Sequence, residues 1–272
     1  MEKTQYKQPD PQTSNYKLFD MVVGSRNYGL EDNNSDIDKK CFVLPNKNDL
    51  YLNRRACSVH ISQDIDIEYK DIREFPELIF KSNPAYLELL YSKEVNILVK
   101  EEHQKILLQK YLNYFIDNRE EIVKFNLPKL WSSTFGMQNK LFKEYNSTKN
   151  PKRVYHLYRT SLLLKNYVNN GFNNYSECLI PIGNERQKLL DIKGGKYSEK
   201  DLELAIFKAM NDMASIKSEY MLINNSEVKY YDDYINKTME LMSFDYNNFP
   251  LIEHPQICED LKLRYSFEFT QK

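Results

Sequence analysis

Leu18-Phe19-Asp20-Met21-Val22-Val23-Gly24-Ser25-Arg26-Asn27-Tyr28-Gly29-Leu30, then a short spacer, Ser35-Asp36-Ile37-Asp38 and Cys41-Phe42-Val43-Leu44, form the stretch from which this chain is read. The apolar run Leu18 to Val23 has the length of a strand and ends abruptly in Gly24-Ser25. The chain of 272 residues spends only seven glycines, and Gly24 and Gly29 are two of them, so these belong where the backbone turns tightly or meets a ligand. Asp36 and Asp38, one residue apart on an extended strand, project from the same face. Such a pair can share divalent cations. Asp-x-Asp alone is common in acidic loops, and Gly-Ser alone is an ordinary turn. Their order in one segment, strand then Gly-Ser then Tyr-Gly-Leu then Ser-Asp-x-Asp then apolar run, places a phosphate grip opposite a metal platform.

Outward from this segment, Val59 to Tyr69 reads as one strand whose period-2 alternation sets Asp64, Asp66 and Glu68 on one face and Ile65 and Ile67 on the other. Nearly everything later reads as helix. A helical pattern runs from Asp71 to Phe80, and Pro84 suits the first turn of a helix through Tyr91. A long amphipathic stretch covers Glu101 to Val123, and another helix covers Leu130 to Tyr145. Asn146 to Pro151 is the clearest linker signal. Lys152 to Asn169 is helical and stops at Gly171, a short helix closes at Gly194-Gly195, and Ser198 caps a helix running towards Tyr220. Asp201 is a short substitute for the Glu or Gln of a capping box. The expected organisation is a flexible lead-in over 1–15, a core over 16–125 and a helical closing domain over 126–272.

On the helix that begins at Lys152, positions 152, 156 and 159 fall within an arc of roughly 60° at 100° per residue. Lys152, His156 and Arg159 therefore share a face, opposite Val154, Leu157, Ser161 and Leu164. A solvated basic stripe has this pattern. So does a grip for a polyphosphate, in which Arg forks onto two oxygens.

Composition sets bounds. Hydrophobic residues make up 41% and charged residues 28% of the chain, ordinary for a soluble globular protein. A net charge of −1 argues against bulk, sequence-independent nucleic-acid binding but allows a local basic face. No stretch approaches the ~18 apolar residues of a membrane span, and the first residues lack a signal-peptide core, so the expectation is a cytoplasmic protein without a membrane partner. Cys41, Cys57, Cys178 and Cys258 are scattered, as are the four histidines, and no zinc spacing occurs.

The segment from Leu18 to Leu44 resembles the signature of the DNA polymerase beta-like nucleotidyltransferase superfamily. Asn83-Pro84 with Leu87-Glu88-Leu89-Leu90, Phe135-Gly136, Lys152 with His156 and Arg159, and Leu189 to Gly195 occur in the order found in its RNA-repair-pathway branch. The resemblance spans roughly residues 17 to 215. It implies an α+β protein, with a small mixed sheet followed by a mainly helical domain that closes over a nucleotide. It implies transfer of a nucleoside monophosphate from a nucleoside triphosphate to a hydroxyl acceptor. The acceptor could be an RNA 3′ end, a tRNA, a protein or a small molecule, and a non-catalytic nucleotide- or RNA-binding module is the alternative. Two Mg²⁺ ions, or Mn²⁺, would be held by Asp36, Asp38 and a third acid on the following strand. The family's apolar-acid-apolar pattern favours Asp66 for that place, with Asp64 and Glu68 as same-face rivals. Gly24 and Ser25 would bind the β/γ-phosphates, and Lys152, His156 and Arg159 the departing pyrophosphate. Three residues depart from the pattern. Lys39 and Lys40 follow Asp38, where they could alter metal affinity or touch phosphates, and Glu74 stands where a Lys is expected.

Overall fold

Phe19 and Phe42 stack with ring centroids 5.0 Å apart, Phe75 meets Phe42 edge-on at 5.0 Å, and Tyr111 and Phe115 extend the cluster. These rings seal a small sheet against helices. The structure, a computed structural model, describes residues 16–32, 35–55, 57–61, 65–222 and 228–248. The lead-in expected over 1–15 lies outside them.

In chain order β1 (Tyr16–Val23), a 3-10 turn (Gly24–Arg26), β2 (Ile37–Leu44), α1 (Lys47–Tyr51), β3 (Cys57–Ile61) and β4 (Ile65–Asp71) come first. Then follow α2 (Glu74–Phe80), α3 (Pro84–Leu87), a second 3-10 turn (Glu88–Tyr91) and β5 (Val95–Ile97). Helices α4 (Glu102–Asp117), α5 (Arg119–Lys124), α6 (Leu127–Thr148), α7 (Pro151–Asn169) and α8 (Tyr175–Leu179) lead into α9 (Gly183–Lys193), α10 (Glu199–Ser215), α11 (Lys217–Met221) and α12 (Val228–Asn248). The sheet order is β3-β4-β2-β1-β5, and the mixed sheet followed by helices is the α+β class expected from the sequence. Strands β2 and β4 are parallel, and every other pair is antiparallel.

Three sequence readings change. Val59 to Tyr69 is not one strand but parts of two, because β3 and β4 pair antiparallel as a hairpin. Only β4 belongs to the acid face, and Asp64 lies outside the described residues. The stretch Glu101 to Val123 breaks at Asn118 between α4 and α5, where the side chain turns back to donate to the Tyr114 carbonyl at 2.7 Å. The linker signal at 146–151 is a tight turn between packed helices: Lys149 takes a left-handed φ of 52°, and the Asn150 side chain caps α7 by accepting from the Lys152 amide. Ser198 caps α10, and Asp201, too short to reach back to the Ser198 amide, accepts from its hydroxyl at 2.6 Å.

One apolar cluster extends from Leu18 and Phe42 through Leu130 and Leu164 to Tyr234 and Leu241 in α12. The buried Trp131 ties α6 to α10 by donating to the Met213 carbonyl at 2.9 Å. Among the described residues no helix is long and apolar enough to cross a membrane.

Candidate active site

Strand β2 is half-buried from Ile37 to Lys40 and fully buried from Cys41 to Leu44. Its buried end anchors the sheet, and its open end carries the acids. Parallel pairing brings Asp38 directly opposite Asp66, and Lys40 opposite Glu68. Side chains in register on neighbouring strands share a face, so Asp38 and Asp66 stand side by side at the same end of the sheet. Asp36 is exposed where the chain enters β2. Burial holds the Asp38 carboxyl above the usual carboxylate range, and the charges of Asp66 and Asp36 push it further while Lys152 and Lys40 oppose them. Asp38 thus carries the repulsion of two neighbouring carboxylates as well as the cost of burial. Among the described residues no three His, Cys, Asp or Glu side chains form a ready-made metal cage.

Glu68 is engaged otherwise. Lys40 makes a short ion pair with it, Lys70 approaches at 3.0 Å, and these two ammonium groups hold its carboxyl below the usual range against the effect of burial. Glu74, the departure noted in the sequence, lies 3.9 Å from Lys70, across the turn from β4 into α2. The Lys39 ammonium pairs with Asp20 at 3.2 Å and approaches Glu94 at 3.8 Å, while the residue itself is among those lining the cavity described below. Both lysines line the cavity, and their ammonium groups pair with different carboxylates, Lys40 with Glu68 and Lys39 with Asp20. Asp71, fully buried at the end of β4, is forked by Arg73 and is structural.

A cavity of about 380 Å³ separates this acid face from α7. Gly24, Tyr28, Asp38, Asp66, Glu68, Glu88, His156 and Arg159 are among its lining residues. His156 and Arg159 of the expected basic face thus meet the acid face, although they are far from it in sequence. Lys152 is exposed at the first turn of α7 and is not among the lining residues, but its charge is felt by Asp38. Ser25, half-buried on the turn after Gly24, is not among the lining residues. Gly24 is required sterically: its φ is +73°, and a Cβ there would lie 2.2 Å from Asp38 Oδ2.

Arg159 is buried, with Nη2 3.6 Å from Glu88 Oε2 and its guanidinium 3.8 Å above the Tyr28 ring. Its Nε and Nη1 are buried without a hydrogen-bond partner. These two buried donors belong to a side chain that lines the cavity.

Sequence reasoning missed the clamp that shapes the loop before the acids. Lys193 at the end of α9 donates to Ser35 Oγ at 2.7 Å and to the Leu30 carbonyl at 3.1 Å, and pairs with Asp32 at 3.2 Å. Arg186 donates to the Gly29 carbonyl at 3.0 Å, and Arg26 to the Ser35 carbonyl at 3.0 Å. The run Leu189 to Gly195 was visible in the sequence, but nothing local says that its lysine reaches back to residue 35.

Burial and the nearby charges of Arg159, Lys152, Arg153 and Lys193 push the His156 imidazole down to about 3. It is neutral at pH 7 and donates or accepts as an uncharged ring. Between about pH 6.5 and 3 the unfolded chain binds a proton at this position that the folded chain does not, so stability falls with pH by up to about 1.4 kcal/mol per unit in that window. His156→Gln should remove this contribution. Thermal melts of the two proteins should diverge between pH 7.5 and 5, with the wild type losing more. Parallel curves would mean that the ring is not desolvated.

The model of one family, RlaP, described as the RNA repair pathway DNA polymerase beta family, matches residues 12–215, from the lead-in to the end of α10. No curated protein matches the chain.

Proposed function

The chain belongs to the RNA repair pathway DNA polymerase beta family, and on that premise we propose that it transfers a nucleoside monophosphate from a nucleoside triphosphate to a hydroxyl acceptor, with release of pyrophosphate. An RNA 3′ end is the first acceptor to test. The observation that carries this reading is the opposition, across one cavity, of the Asp38–Asp66 pair and the unpartnered donors of Arg159.

Asp36, Asp38 and Asp66 would hold Mg²⁺, which when bound neutralises phosphate charge during in-line displacement. The remaining work falls to the chain itself. Arg159 binds phosphate oxygens through the donors it does not spend on Glu88, and Lys152 adds its charge. Neutral His156 hydrogen-bonds the same group. Gly24, lacking a Cβ, lets the turn and its Ser25 close on the β/γ-phosphates. Asp66 has no ion-pair partner among the described residues and accepts the proton of the attacking hydroxyl as its oxygen bonds to the α-phosphorus. The bond to the bridging oxygen breaks, and pyrophosphate leaves towards Arg159.

The test incubates the full chain with each α-labelled nucleoside triphosphate, magnesium and total RNA. Label should appear in RNA with stoichiometric pyrophosphate. Label in protein would redirect the acceptor, and triphosphate binding without any transfer would make the chain a binding module. Asp66→Asn should lower transfer by about a thousand-fold while triphosphate still binds. Glu68→Gln should cost less than about ten-fold, because its carboxylate is already neutralised by two lysines. Equal losses would return the third place to the whole acid face.

A further inference from the structure

Three motifs that are far apart in the sequence meet at one buried point. Tyr28 comes from the Tyr-Gly-Leu element, Glu88 from Leu-Glu-Leu-Leu, and Arg159 from the basic face of α7. Burial, and with it the neighbouring Glu88 carboxylate, raises the Tyr28 hydroxyl well above its ordinary pKa, Arg159 lies on the Tyr28 ring, and Glu88 pairs with its guanidinium. The Glu88 backbone also accepts from Asn27 Nδ2 at 3.3 Å, which fastens the acid to the Gly24–Leu30 turn. Glu88 and Arg159 both line the cavity, and each is less than a tenth exposed.

A cation that exists only to grip phosphate needs no carboxylate beside it in the same cavity. Here one is built in, and its geometry is that of a partial partner: one nitrogen of Arg159 faces it at 3.6 Å while two others stay open. A bound polyphosphate and Glu88 would then draw on the same positive charge. We propose that Glu88 is an internal counter-anion of Arg159 that competes with pyrophosphate, keeping the empty site neutral and weakening the hold on the leaving product. This rests on the reading of the cavity as a polyphosphate site. The physical basis is charge balance in a low-dielectric cavity: a guanidinium already compensated has less to gain from a second anion, and one whose partner is removed gains more.

The sign of one change separates this role from a merely structural one. A Glu88 that only braces Arg159 would, when neutralised, loosen the guanidinium and weaken anion binding. A competing Glu88 would, when neutralised, strengthen it. Calorimetric titration of the full chain with magnesium pyrophosphate should show Glu88→Gln binding about ten-fold more tightly than wild type. In an Arg159→Gln background the same substitution should change affinity by less than two-fold, since the charge being contested is gone. Glu88→Asp, which withdraws the carboxylate by one methylene, should shift affinity in the same direction by a smaller factor, and it serves if Glu88→Gln does not fold. Unchanged or weaker binding by the folded variants overturns the proposal and leaves the phosphate site standing. Failure of the wild type to bind pyrophosphate removes both.

Discussion

Asp38→Asn is expected to abolish nucleotidyl transfer, by at least about a thousand-fold, while raising the melting temperature of the metal-free protein. Both halves come from one observation. Asp38 faces Asp66 across the parallel register and is disfavoured as a carboxylate, first by burial and then by the charges of Asp66 and Asp36. An acid whose folded pKa is raised contributes stability below its unfolded pKa and loses it as pH rises through the folded value, so at pH 7 the charged form is a cost. Neutralising it relieves that cost and removes the anchor for magnesium. Asp36, exposed at the strand entry, should give a similar loss of transfer when changed to Asn but little gain in stability. Differential scanning fluorimetry without magnesium, beside a pyrophosphate-release assay, reads both quantities. A variant that melts earlier than wild type would show that Asp38 is held for structure, and one that keeps a few per cent of turnover would remove it from the metal site.

Gly24→Ala should be nearly as damaging, although it adds only a methyl group. The new Cβ would sit 2.2 Å from Asp38 Oδ2, well inside contact distance, and the backbone φ of +73° is itself strained for an L-residue by about 1–2 kcal/mol. Asp38 must swing away from the turn, which separates the acid from the place where phosphate and metal would meet. The expected result is a folded protein with a transfer loss of about a hundred-fold or more. Gly29→Ala is the control. Its φ is also positive at +66°, but the nearest atom to its Cβ is Ile180 Cγ2 at 3.9 Å, so it should carry the backbone strain alone and keep most of its activity. If the two substitutions cost the same activity, the close approach of Gly24 to Asp38 has no functional meaning.

Much of this site was legible in one dimension because its chemistry is local. The Gly24-Ser25 turn, Asp38 on its strand with Asp36 just before it, and the helix face shared by Lys152, His156 and Arg159 are all local features, set over a few residues. The helix ends at Asn83-Pro84, Asn150-Pro151 and Ser198 were legible for the same reason, since caps satisfy backbone groups within one turn. What failed was equally local in cause. Alternation through Val59 to Tyr69 shows no break, and nothing in the identities of neighbouring residues announces the hairpin between β3 and β4.

The sequence by itself determined which residue types share a face, and so which could act together on one element. Only the tertiary structure decided which faces meet. Pairing β4 parallel to β2 puts Asp66 beside Asp38, whereas antiparallel pairing would set the strand ends carrying these acids apart. The same register sets Glu68 against Lys40, and the Lys39 ammonium pairs with Asp20. Arg159 acquires its meaning from Tyr28 and Glu88, and Ser35 from Lys193, all brought together by the packing of α7 and α9 against the turn. The reason is physical. Periodicity follows from the geometry of a single backbone, while register and the burial of charge follow from the free energy of closing a core around all of them at once.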